Sequence, residues 1–354
     1  MVYLVQRIYE SIDLNGGRIN FYDYMNFCLY GPKDGFYNNT ELKFVINGGA
    51  FFTLPEYGKL FAYFVALKLN VFYQEENAKV GLLEVGAGTG CFLLDVLTFL
   101  YGFGTVIKTI IIVEYSYYLQ QQQCSVFKST CFYNSVTWVR KIPYGYRGVI
   151  LCNEILDAIP VNCYVTYNGV LYERYVGYIG VTLNWVLIKT SGYYQHGVAT
   201  KSIETHSNVY FSEICFFINS FVLSLIRGID LSYIYFFDYG YYEDLSCYTH
   251  TSKGSLRCYY KNRSYNNPFL FVGSQDITTH VNFTFFLSMC KMNNIIRKDF
   301  INFSNFFTPT LLYYLVKSCD VSKIGRYKIS DELNLLLSFE KMGDVFKVLI
   351  VMKL

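Results

Sequence analysis

Charge is scarce in this chain. Asp, Glu, Lys and Arg make up only 16% of its 354 residues, and the formal net charge is +3. Hydrophobic residues reach 53%, which excludes long disordered tails. No stripe of Lys and Arg stands out, so the electrostatic footprint of a nucleic-acid partner is missing. Paired cysteines are missing too. The eleven cysteines are scattered, with no CxxC; Cys124 and Cys131 are seven apart and Cys247 and Cys258 eleven apart. Neither spacing suits zinc, and no metal site is expected. Scattered thiols fit a reducing cytosol. The opening stretch, MVYLVQRIYESIDLNGG, has no apolar h-region and carries Glu10 and Asp13. It reads as neither a signal nor a transit peptide, and a bacterial cytoplasm is the expected location. There is no internal repeat and no low-complexity linker.

Aromatics are what the chain has in excess, 36 Tyr and 31 Phe. Many stand where aliphatic residues would serve, which reads as the coding bias of an AT-rich genome. VYFSEICFFINSFVLSLI, residues 209–226, is apolar enough to suggest a membrane span. Glu213, Asn219 and Ser220 interrupt it, leaving runs too short to span, so a buried helix is expected there and no integral membrane segment.

From residue 80 the pattern alternates. VGLLEV, TVIKTIIIVE, GVILCNE, YIYFFDYG and DVFKVLIVMK read as buried strands, and CFLLDVLTFLYG and YSYYLQQQQ as helices. Strands apolar on both faces, alternating with helices, predict an α/β fold with a mostly parallel sheet flanked by helices. TLPEYGKLFAYFVALKL, residues 53–69, predicts a helix with Thr53 as N-cap, Pro55 in the first turn and Glu56 completing a capping box. Asn168-Gly169 between two β-type runs is a hairpin signal, so residues 161–210 read as a β-rich insertion. The expected organisation is an N-terminal helical segment over the cleft (1–70), a cofactor-binding Rossmann-like half (71–160), the β-rich insertion with a helix (161–225) and the remainder of the catalytic domain (226–354).

LLEVGAGTG, residues 82–90, follows a strand and opens a helix. A dinucleotide fingerprint would need glycine at 91, where Cys91 stands. The ExGxGxG form with Gly86, Gly88 and Gly90 instead predicts a site for S-adenosyl-L-methionine (SAM), the glycines letting the backbone approach the ligand. Glu84 is placed to meet the ammonium end of the methionine moiety. Glu114, ending the next strand, is placed to accept from ribose hydroxyls; the other reading is a solvated strand-end charge.

Several stretches together resemble one family, the MidA-type SAM-dependent methyltransferases, which include the mitochondrial factor that methylates an arginine of respiratory complex I. They are YMNFCLYGPKDGFY, GGAFFTLPE, LLEVGAGTGCFLLD, VEYSYYLQQQQ, NEILDAIPV, FFDYG, GSLRCYYKNR, GSQDITTHVNF and EKMGDVFKVL, in the family's order from about 24 to 349. The resemblance implies a Rossmann-like class I methyltransferase fold, SAM as cofactor, and a cleft lined by the LPE, NEILD and DITTHV segments. It implies protein arginine as acceptor, made into symmetric dimethylarginine, with the quinone-site subunit of complex I as the expected partner. Three positions depart from the pattern: Ala50 and Asn282 replace Asp, and Asn262 replaces His.

Asn153, Glu154 and Asp157 follow a buried strand, where carboxylates are costly unless something pairs with them. A guanidinium is such a partner, and Glu154, then Asp157, are the residues expected to orient it by charge-assisted hydrogen bonds. The other readings are a salt bridge elsewhere for Glu154 and a turn brace for Asp157. Asn153 either bonds the cofactor's amino group or closes its strand. Further cleft candidates are Glu56, Asp238, Asp276 and His280. Asp276 and His280, four apart, are expected on one helix face. Each of the four also has a purely structural reading. Two other activities remain open: a methyltransferase for RNA or a small molecule, and a SAM-binding assembly scaffold with little catalysis.

Overall fold

The computed structural model describes residues 2–40, 54–75, 80–190, 209–242, 254–307, 326–337 and 345–353. Ala50, Thr53, His196, His206 and His250 lie outside them. The chain forms two compact units, each from three segments: Met1–Phe51, Leu156–Phe221 and Tyr241–Met289 in the first; Phe52–Ile155, Val222–Gly240 and Cys290–Leu354 in the second. This division cuts across the linear boundaries at 70, 160 and 225 expected from the sequence. Helical residues 54–70 belong with the Rossmann-like sheet, and the β-rich insertion belongs with the N-terminal helices.

The second unit is built on a central sheet. Seven of its eight strands among the described residues form one continuous path: β1 (Gly81–Val85), β2 (Ile110–Val113), β3 (Val136–Val139), β4 (Tyr146–Asn153), β5 (Ile229–Tyr241), β6 (Ile295–Asn302) and β7 (Phe346–Lys353). Their order across the sheet is β6-β7-β5-β4-β1-β2-β3. From β3 to β5 all neighbours are parallel, while β7 runs antiparallel to both β5 and β6. Interior strands of a parallel sheet are covered on both faces, which is why β1 and β4 are runs of Val, Ile and Leu. Leu82, Leu83, Val149, Ile150 and Leu151 are fully buried.

Aromatics fill the surrounding core. Phe61 stacks on Phe92 with ring centroids 4.8 Å apart and meets Phe237 edge-on at 5.1 Å. Such rings bury large areas each, so the Phe excess is spent largely on packing.

The helix expected over 53–69 is two helices, Leu54–Tyr57 and Leu60–Glu75. The break has a long-range cause. Glu332, on the helix Arg326–Leu337, accepts the Leu60 N–H at 2.7 Å through Oε1 and so caps the second helix. A Cβ at Gly58 would overlap that carboxylate.

In the first unit the helix Val2–Leu14 buries Leu4, Ile8 and Ile12, one stripe at a spacing of four. With Phe21, Tyr24 and Leu29 of the helix Phe21–Tyr30 they pack on Val161, Cys163, Val176 and Leu183 of the β-rich insertion. The hairpin at Asn168-Gly169 is present. Asn162–Tyr167 pairs antiparallel with Val170–Ile179, and both turn residues have positive φ, +48° and +76°, as a type I′ turn requires.

The expected buried helix over 209–226 is a strand, Val209–Ile214, followed by a helix, Ile218–Gly228. The strand pairs with Asn162–Tyr167. Phe211 and Tyr210, a β-favouring aromatic pair, are what the helical reading overlooked. The helix buries Ile218, Val222 and Leu225 in one stripe. No helix among the described residues is long and apolar enough to cross a membrane.

Candidate cofactor site

Strand order reverses beside β1, which has β2 on one side and β4 on the other. In open α/β sheets ligands bind outside the carboxyl ends of the strands at such a switch point. β1 ends in the glycine loop and β4 ends in Asn153-Glu154, and register holds the two ends level: Val85 lies beside Cys152. Topology alone therefore brings together the two motifs that the sequence singled out.

The glycine loop is strained in a way only glycine accepts. Gly86 and Gly88 have φ of +63° and +52°. A Cβ at Gly86 would overlap Ile155, whereas one at Gly88 would meet no atom within 4 Å. Gly88 thus fronts open space. The loop feeds helix α1 (Cys91–Gly102), entered through Gly90 at φ +84° with no side-chain cap. Glu56 lies close enough to the Cys91 thiol at this helix start to push it up, after burial and Asp95.

Glu84, in β1, is 2% exposed, and its Oε2 has no hydrogen-bond partner among the described residues. Burial, then the neighbouring Glu114, pushes its carboxyl up to about 8. Across the switch point Asn153 donates through Nδ2 to Glu154 Oε1 at 3.2 Å, while its shielded Oδ1 has no partner among the described residues. Two buried acceptors with no donor are costly in a folded protein unless a ligand supplies one. Both are acceptors, so the donor set of an ammonium group fits them.

Glu114 follows β2 and is 6% exposed, not a solvated strand-end charge. Its Oε1 accepts the Ser116 N–H at 2.8 Å and its Oε2 accepts from Gln123 Nε2 at 3.1 Å. Burial raises its carboxyl, and these donors oppose the rise. Ser116 also caps helix α2 (Tyr117–Phe127) by accepting the Leu119 N–H. Gln123, on α2, was not recognised from the sequence. Its signal is there: Leu119, Gln123 and Phe127 form the buried stripe of α2, and a polar residue on such a stripe needs partners.

Glu154 has φ +49°, left-handed for a non-glycine residue. Such positions store roughly 1–3 kcal/mol and need a surrounding that enforces them. Here the Glu154 N–H donates to the Phe237 carbonyl at 2.8 Å and the next N–H, of Ile155, to Asp238 Oδ2 at 3.1 Å. Asp238 lies within β5 rather than at its end and is 1% exposed. It braces the Glu154 turn.

Asp157, Asp276 and His280 belong to the first unit, the chain passing into it after Ile155. Asp276 and His280 share no helix: Asp276–Thr278 is a strand paired with Arg257–Tyr260. Asp276 accepts from Tyr37 Oη at 3.1 Å, and burial, then Asp157, pushes its carboxyl up to about 7. Asp157 is itself 3% exposed. His280 is pushed down to about 4 by burial, then Arg257, so its imidazole is neutral near pH 7. With Glu213 and Cys215 it lines a cavity of about 30 Å³, room for about one water. Among the described residues no group of His, Cys, Asp and Glu could hold a metal ion.

Two departures from the resemblance have a local explanation. Lys261 and Asn262 both have positive φ, +49° and +59°, in the two-residue turn closed by Tyr260 and Arg263; Asn accepts that conformation readily. Asn282 Oδ1 accepts the Phe285 N–H at 2.9 Å and caps the helix Phe283–Met292, a task Asn performs as well as Asp.

Fold and switch point define an α/β protein that takes its ligand over a glycine loop. Residues 64–300 match the sequence profile of a family described as "Putative S-adenosyl-L-methionine-dependent methyltransferase". The chain belongs to this family of methyltransferases, whose cofactor is SAM. Among curated proteins none matches the chain. A structure from Burkholderia thailandensis, described as a "likely methyl transferase" bound to S-adenosyl-homocysteine, is 24% identical with a TM-score of 0.88, the alignment covering 99% of this chain and 92% of that one. A native structure of an uncharacterized protein of the same superfamily and organism is 23% identical, with a TM-score of 0.85 over 99% and 91% of the two chains. These likenesses establish the fold.

Proposed function

We propose that this protein is a protein-arginine N-methyltransferase. It makes symmetric dimethylarginine on a subunit of respiratory complex I, the quinone-site subunit, during assembly. SAM is held by Glu84, Gly86, Gly88, Gly90 and Glu114, and the acceptor is oriented by Glu154, with Asn153 and Asp157 beside it in the sequence. The observation that carries the cofactor half is the pair of shielded acceptors, Glu84 Oε2 and Asn153 Oδ1, on neighbouring strands at the switch point. S-adenosyl-homocysteine in the Burkholderia thailandensis structure supports it. The acceptor half rests on the resemblance and on Glu154.

Bound SAM supplies a methyl group on a cationic sulfur; transfer forms an N–C bond, breaks the S–C bond with its electron pair left on sulfur, and releases one proton from nitrogen. The chain's own residues do the positioning. Glu84 and Asn153 take the ammonium end, Glu114 the ribose, and the open space before Gly88 admits the ligand backbone. A guanidinium is a poor nucleophile because its lone pairs are delocalised. The Glu154 carboxylate, fixed by an enforced backbone turn, orients one nitrogen and localises the charge. Positioning of this kind supplies up to about 7–11 kcal/mol of a barrier.

The test is transfer of labelled methyl from SAM to the purified subunit and to versions carrying Arg→Lys at each candidate site. The proposal expects label on arginine, lost in one Arg→Lys version. Label on another residue type or on a small molecule overturns the arginine reading. Binding of both SAM and the subunit without any transfer favours the scaffold.

A further inference from the structure

Gln123 is wholly buried on α2 and its amide is fully committed. Trp138 Nε1, which can only donate, gives its hydrogen to Gln123 Oε1 at 3.2 Å. That fixes which end of the amide is which. Nε2 then donates to the Gly88 carbonyl at 2.9 Å and to Glu114 Oε2 at 3.1 Å. One side chain therefore ties the glycine loop to the acidic residue after β2. The remaining Glu114 oxygen is held by the Ser116 N–H, so the carboxylate cannot rotate without losing a bond at both ends. A Cβ at Gly90 would touch the Gln123 side chain at 3.2 Å, so the amide also backs the loop where it turns into α1.

We propose that Gln123 is a positioning residue that sets the selectivity of the site for a ligand with an intact ribose diol, by aiming the Glu114 carboxylate. The inference rests on the reading that Glu114 receives the ribose. A site built to hydrogen-bond hydroxyls rejects an analogue lacking them, because its buried polar groups stay unpaired. That rejection depends on the carboxylate being fixed. Gln123 fixes it against the same loop that borders the ligand, so diol recognition and loop conformation are set together.

The experiment is calorimetry with S-adenosylhomocysteine and its 2′-deoxy and 3′-deoxy counterparts, on the wild-type protein, Gln123→Met and Trp138→Phe. Met matches the shape of Gln without its donors. The wild type should bind a deoxy counterpart about 10–100-fold more weakly than the parent, the range for a hydrogen bond to a charged group. In Gln123→Met the parent should weaken by about that same 10–100-fold and the deoxy ligands hardly at all, so the ratio collapses toward one. Equal weakening of all three ligands, with the ratio kept, makes Gln123 merely structural and overturns the inference while leaving the cofactor reading intact. No binding of S-adenosylhomocysteine by the wild type overturns both. If Gln123→Met does not fold, Trp138→Phe decides: released from its anchor the amide should cut the ratio several-fold, and an unchanged ratio overturns the proposal.

Discussion

Two buried carboxylates, Asp276 in the first unit and Glu84 in the second, are treated in opposite ways. In the first, Asp276 accepts from the Tyr37 hydroxyl and from the Ile277 N–H, so Oδ1 is used within the fold. In the second, Glu84 is as deeply buried, yet its Oε2 has no donor among the described residues. Both carboxyls are raised by burial, to about 7 and about 8. The difference is informative because the two side chains are about equally buried, 3% and 2% exposed. We propose that an acceptor left without a donor among the described residues, at a strand end on a topological switch point, is met by a ligand that brings its own donor.

The largest expected break in this comparison is Gly88→Val. A β-branched side chain there enters open space without meeting protein, so SAM affinity should fall at least about 100-fold by calorimetry while the circular dichroism spectrum stays that of a folded domain. The left-handed φ should cost only about 1–2 kcal/mol of stability. Next comes Glu154→Gln, which keeps shape and loses charge. Methyl transfer should drop by about two orders of magnitude, the loss of roughly 3 kcal/mol of transition-state stabilisation. SAM affinity should be unchanged; a parallel loss of affinity would move Glu154 out of the acceptor role.

The third prediction concerns pH. Glu84 must be ionised to face an ammonium, and burial, then Glu114, pushes its carboxyl up to about 8. SAM affinity should therefore be full above about pH 8 and weaken as pH falls below it, with uptake of SAM releasing a proton. Glu84→Gln should flatten that slope, and calorimetry in buffers of different ionisation enthalpy reads the proton directly. Asp276→Asn, in the other unit, should leave the slope as it is. The smallest effect is Asn282→Ala, which removes a helix cap and should cost about 1 kcal/mol in chemical denaturation without changing SAM affinity.

Much of the second unit is legible along the chain because its signals are local. ExGxGxG lies between one strand and one helix, and the extent of α1, Cys91–Gly102, coincides with the apolar run that announces it. Asn168-Gly169 announces its hairpin for the same reason. What escapes is non-local. The cap on Leu60 comes from Glu332, 272 positions away, so a run that looks like one helix is two. Residues 209–214 become a strand because Asn162–Tyr167 offers an edge to pair with, which overrides a run that periodicity cannot assign. Asp238 looks like a strand end but is held inside β5 by pairing with β7. Gln123 was visible as a polar residue on an apolar stripe, but the four consecutive glutamines hid which one faces inward.

The central claim is that the unused acceptors at the ends of β1 and β4 receive the cofactor. A crystal structure of the protein with S-adenosylhomocysteine tests it most directly. The account predicts the ligand's amino group within hydrogen-bond distance of Glu84 Oε2 or Asn153 Oδ1, and its ribose hydroxyls on Glu114. A ligand bound elsewhere, with both acceptors still lacking a donor, would contradict it.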